Sequence, residues 1–82
     1  MATSNHTQKD TDWHLLHSGV CFLQVKNHNT LHVYVGNDAP DDLSAYHEVT
    51  RHSPFSSRSS EDIYIRAADP NRAVGLTYTP GA

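Results

Sequence analysis

Apolar and polar residues alternate along much of this chain. In residues 20–26, Cys21, Leu23 and Val25 point one way and Gln24 and Lys26 the other, with Val20 and Phe22 sharing that second face. Residues 31–35 set Leu31, Val33 and Val35 against His32 and Tyr34. In residues 61–67, Ile63, Ile65 and Ala67 oppose Asp62, Tyr64 and Arg66; in 73–79, Val74, Leu76 and Tyr78 oppose Gly75 and Thr77. Successive side chains of a strand point to opposite faces, so a period of two predicts strands with one apolar face. Asn27-His28-Asn29-Thr30 is turn-prone and predicts a hairpin between the first two runs. Asp69-Pro70-Asn71-Arg72 places Asp and Pro as a type I turn prefers them, and predicts a second hairpin.

The other segments are less regular. Trp13, Leu15 and Leu16 open an apolar stretch that stops at Ser18-Gly19, a turn signal. Residues 36–42 read as a loop. Residues 43–50 suit a helical face through Leu43, Tyr46 and Val49, or a strand face through Ala45, His47 and Val49; Tyr46, Val49 and Thr50 favour the strand. Residues 51–60, with Pro54 and several serines, read as a loop anchored by Phe55. Residues 1–12 are polar and predict an extended arm that needs a neighbour to lie against. The expected architecture is all-β: a small antiparallel β-sandwich or barrel of five or six strands over 13–82, preceded by the polar extended arm 1–12.

Composition narrows the function. The chain has 82 residues, of which 37% are hydrophobic. A single domain of this size buries only ~60% of its unfolded surface, so a homo-oligomer or high-copy assembly is expected to add stability. The net charge is -3, with Lys and Arg scattered singly, which argues against nucleic acid as a partner. No apolar run approaches the ~18–20 residues of a membrane span. The first residues lack an apolar core, so no secretory signal is expected and the Asn5-His6-Thr7 triplet is read as silent. Cys21 is the one cysteine, which excludes an internal disulfide; it reads as a small buried hydrophobe in a protein made in a reducing cytoplasm.

Seven histidines draw attention, but no His-x-His, Cys-Cys or His-Glu-x-x-His spacing is present. They read as scattered polar residues, the alternatives being a metal site pooled across a subunit interface or a pH-responsive interface. Asp38, Asp41 and Asp42 do not match a calcium loop. Neither a Gly-x-Ser-x-Gly elbow nor a phosphate-cradling glycine loop is found. The expectation is a protein that is not an enzyme and uses no cofactor. Contact residues are the better candidates: Phe22, Tyr34, Tyr64 and Arg66 on outward strand faces, and Trp13, as an anchor, with Thr7 and Lys9 on the arm. An exposed platform of Tyr34, Tyr46 and Tyr64 would instead suit a small carbohydrate- or peptide-binding module.

The order of motifs carries a resemblance. A strand ending in Val25-Lys26-Asn27 precedes Leu31-His32-Val33-Tyr34-Val35 and the Ala39-Pro40 loop; a serine-rich stretch, Asp62-Ile63-Tyr64-Ile65-Arg66-Ala67-Ala68 and Val74-Gly75-Leu76-Thr77-Tyr78 follow. This order resembles small virion accessory proteins of tailed bacteriophages, which decorate or cement the capsid or sit at the neck and tail. The resemblance implies a β-sandwich located in the virion after synthesis in a host cytoplasm. It implies the major capsid protein or other virion proteins as partners, and neither catalytic residues nor a membrane. Under it, the protein is a capsid decoration protein that binds over joints between major capsid proteins and stabilises the shell; a neck or tail position stays open.

Overall fold

The structure, a computed structural model, describes residues 3–41, 44–58 and 60–80. They form eight strands: β1 (Ser4–Gln8), β2 (His14–Ser18), β3 (Cys21–Val25), β4 (Leu31–Gly36), β5 (His47–Val49), β6 (Phe55–Ser57), β7 (Asp62–Ala67) and β8 (Val74–Pro80). Two four-stranded antiparallel sheets pack face to face, in the orders β1-β8-β3-β6 and β2-β7-β4-β5. This is the expected all-β fold, a sandwich and not a barrel, with β1 and β6 added to the five or six strands expected.

The strand faces follow the sequence pattern. Cys21, Leu23, Val25, Val74 and Leu76 of the first sheet meet Leu31, Val33, Val49, Ile63, Ile65 and Ala67 of the second, and all are buried. Each fully buried Leu, Ile or Val contributes on the order of 1.5–3 kcal/mol, so this interface is the main stabilising term. Leu16, Val35, Phe55 and Tyr78 pack around it. Burial pushes the Cys21 thiol above its ordinary 9.0, which keeps it protonated among its apolar neighbours.

The partners of the strands differ from the expectation. Both predicted hairpins are absent: β3 and β4 lie in different sheets, and so do β7 and β8. Of the seven connections, that between β4 and β5 alone joins neighbours in one sheet. The Asp69 turn forms as predicted, with Arg72 N–H donating to Asp69 O at 3.1 Å and Asn71 N–H to Asp69 Oδ1 at 2.9 Å. It carries the chain across the sandwich instead of back along it. The reason is that both flanking runs have an apolar face, and an arch sets those faces against each other across the core. Neither turn contains the Asn-Gly or Asp-Gly pair that favours a tight hairpin. The two arches are tied together: Asn27 Nδ2 and Asn29 Nδ2 both donate to Ala73 O, at 3.0 and 2.7 Å, and Lys26 N–H donates to Gly75 O.

Of the segment 1–12, Ser4–Gln8 is extended as expected, but it does not wait for a neighbour. Ser4–Gln8 pairs with β8 throughout, and Gln8 is buried. Its polar composition hid this role, because an edge strand can be held by main-chain hydrogen bonds and short polar side chains. At Asp10 the chain leaves the first sheet, and Ala67 N–H donates to Asp10 O at 2.8 Å. Deleting residues 1–11 therefore removes a sheet strand as well as an end. Two further differences are local. The loop 51–60 contains β6, whose Phe55 does pack on the core. The strand expected over 43–50 shrinks to β5, and Leu43 lies outside the described residues.

Candidate functional site

The outer face of the second sheet gathers most of the chain's aromatic residues. β4 turns His32 and Tyr34 outward and β7 turns Tyr64 and Arg66 outward, because their alternate neighbours Leu31, Val33, Ile63 and Ile65 are held in the core. The register then sets His32 opposite Arg66 and Tyr34 opposite Tyr64. Directly opposed side chains on one sheet face are within contact distance, so this register makes a four-residue block.

Two residues from outside these strands cover the block. Trp13, just before β2, lies over Arg66, whose guanidinium carbon is 4.4 Å from the indole ring centroid. Tyr46, just before β5, stacks on His32 at 3.9 Å between ring centroids and lies 5.2 Å from the same guanidinium carbon. Trp13 also meets Tyr34 and Tyr46, at 6.1 and 6.5 Å, and Tyr34 meets Tyr64 at 6.4 Å. The indole N–H donates to Asp41 O at 3.2 Å, which fastens the loop after β4 to this face and leaves the ring apolar. Gly36 has a close-approach role here: a Cβ at this position would stand 2.7 Å from the Tyr34 ring, which lies back over it.

The electrostatics centre on Arg66. Its Nε–H donates to His32 Nδ1 at 3.1 Å, so His32 is neutral there with its Nδ1 lone pair engaged. Burial holds His32 below its ordinary 6.5; the Arg66 charge acts in the same direction and Glu48, opposite it on β5, against. Arg66 thus sits between two aromatic rings and a neutral imidazole. Each cation–π contact is worth about 0.5–1 kcal/mol at an exposed site and about 2 when desolvated.

The candidate contact residues divide. Trp13, Tyr34, Tyr64 and Arg66 come together, with Arg66 at the centre. Phe22 is exposed on β3, on the outer face of the other sheet, because β3 crosses to that sheet. Thr7 is exposed on β1 of that same sheet and Lys9 follows β1, so neither joins the cluster. The imidazole of His32 was not singled out from the sequence. Its signal was the outward pair His32 and Tyr34 two residues apart, matched by Tyr64 and Arg66.

The histidines are dispersed, with one exception. His6 and His14 stack at 5.5 Å where β1 and β2 close an edge of the sandwich, and His6 Nε2 lies 3.0 Å from Gln8 Oε1. Among the described residues, no group of three or more His, Cys, Asp or Glu could hold a metal ion. Nor, among these residues, is any helix long and apolar enough to cross a membrane. No family model matches the chain, and neither a curated protein nor a solved structure matches it.

Proposed function

We propose that this protein is a non-enzymatic structural component of a virion, a capsid decoration or cement protein that docks on its shell through the outer face of β2-β7-β4-β5. The observation that carries this reading is the Arg66-centred cluster of Trp13, Tyr34, Tyr46 and Tyr64 on one sheet face. Trp, Tyr and Arg are the residue types that dominate binding energy at protein interfaces. The motif order similar to phage accessory proteins supports a virion setting. Repetition of one modest contact over a shell would give avidity without high single-site affinity. A flat sugar platform fits less well, because Trp13, Tyr34, Tyr46 and Tyr64 are tilted by 53–59° in their pairwise contacts.

Co-sedimentation with bare phage shells that lack the protein tests the proposal. Saturable binding is expected, with Tyr46→Ala weakening it by roughly 30-fold, as for a hot spot worth ~2 kcal/mol. Tyr46 is exposed, so its truncation should leave the fold intact. No binding by the wild-type chain would remove the decoration role, and a neck or tail partner using the same face would be sought next. Equal binding by Tyr46→Ala would show that another surface docks.

A further inference from the structure

β4 is longer than the strand that covers its outer edge. It pairs with β7 along its whole length, from Leu31 to Gly36, but with β5 only at Leu31, His32 and Val33. Beyond that point Tyr34, Val35 and Gly36 have no ladder partner on the β5 side among the described residues. Successive residues of a strand aim their main-chain groups to alternate sides, so at least one N–H and one C=O of this stretch face an open edge. The chain before β5 diverges here and leaves a shallow groove of about 250 Å³ lined by Val33, Tyr34, Val35, Ala45, Tyr46 and His47.

From these features we infer that the open end of β4 is a strand-addition site for an extended segment of a partner protein, running on in line with β5. Main-chain groups on β4 supply the ladder, and the groove between Val35 and Tyr46 receives alternate side chains of the incoming strand. Charge selects the kind of segment. Asp38 and Asp41 in the loop after β4 and Glu48 on β5 are exposed, and residues 33–50 contain no Lys or Arg. Arg66, on the neighbouring strand, is engaged by Trp13, Tyr46 and His32. The site therefore favours a segment carrying lysine or arginine between apolar residues, and disfavours an acidic one. This deepens the docking reading above by naming the element of the partner that the face takes.

The probe is a short synthetic peptide alternating lysine and valine, with a glutamate–valine peptide and a backbone N-methylated lysine–valine peptide as controls. Amide hydrogen exchange of the intact chain is followed residue by residue. The lysine peptide is expected to slow exchange about tenfold or more at whichever of Tyr34, Val35 and Gly36 faces the open edge. The glutamate peptide should do so less, and the N-methylated peptide not at all. Ala45→Trp, a change at an exposed position that fills the groove, should abolish the effect while thermal unfolding stays near that of the wild type. The inference is overturned if saturating lysine peptide protects none of the three amides, if N-methylation makes no difference, or if folded Ala45→Trp is protected equally. If shells bind through Tyr46 yet ignore Ala45→Trp, the docking face stands and strand addition does not.

Discussion

The two outer faces of this sandwich are built by the same rule and carry opposite chemistry. On β1-β8-β3-β6 the outward residues are Asn5, Thr7, Gln24, Ser56, Thr77 and Thr79, with Phe22 as the isolated aromatic. On β2-β7-β4-β5 they include Leu15, His32, Tyr34, Glu48, Tyr64 and Arg66, overlaid by Trp13 and Tyr46. Facing water demands only the first composition. The second orders a large apolar and π-rich surface, so it is the face with something to gain from a partner. One sandwich thus has a side suited to solvent and a side suited to docking.

The comparison predicts where substitutions should and should not register. The inward faces are equivalent, so Leu23→Ala in the first sheet and Ile65→Ala in the second should each cost about 2–5 kcal/mol in urea unfolding. A domain of this length has a total stability of only about 4–12 kcal/mol, so either variant is expected to be substantially unfolded on mild warming. A cost confined to one sheet would mean that the sandwich does not unfold as one unit. The outward faces should separate clearly. Arg66→Ala removes two cation–π contacts and the bond to His32, for about 1–2 kcal/mol. Thr77→Ala, at the middle of the polar face, should stay within about 0.5 kcal/mol. Equal small losses would show that the aromatic cluster is held no more firmly than an ordinary surface.

Much of this was legible in the residues, and what was not has a physical reason. Alternation marked β3, β4, β7 and β8 and the direction of nearly every side chain in them, because burial of one face imposes it. It carried no information about partners: the same pattern serves a hairpin, which hydrogen-bonds its two strands, and an arch, which opposes their side chains. That ambiguity misplaced Phe22, whose outward direction was right and whose sheet was not. β1 was invisible because Ser4, Asn5, His6 and Thr7 contribute almost nothing apolar, and its attachment to β8 rests on main-chain pairing. β6 was hidden by its serines, of which Ser57 is buried. Tyr34, Tyr64 and Arg66 were readable as outward residues; their meeting with Trp13 depended on register and on the crossing at Asp10, which no local pattern encodes.

The smallest expected effect is also the most specific to the aromatic face. His32 is held below its ordinary 6.5 by burial and then by the Arg66 charge, with Glu48 opposing. Its Nδ1 accepts from Arg66, so a proton there would replace an attraction with two facing donors and two like charges. The unfolded chain, with the ordinary value, takes up this proton at higher pH than the folded chain. The stabilising contribution of neutral His32 is thus fully present above about 6.5 and is lost as pH falls below it toward and through the folded value. Gln at this position can accept from Arg66 without titrating, and the other histidines are common to both proteins. The stability of the wild type minus that of His32→Gln, measured by urea unfolding at steps from pH 7.5 to 5, is therefore expected to decline with acidification. The same subtraction made on a Thr77→Ala background should be unchanged, since the polar face is not coupled to this pair. A difference that stays flat or grows as pH falls would mean that Arg66 and His32 do not share this bond in solution, and the aromatic face would lose its electrostatic centre.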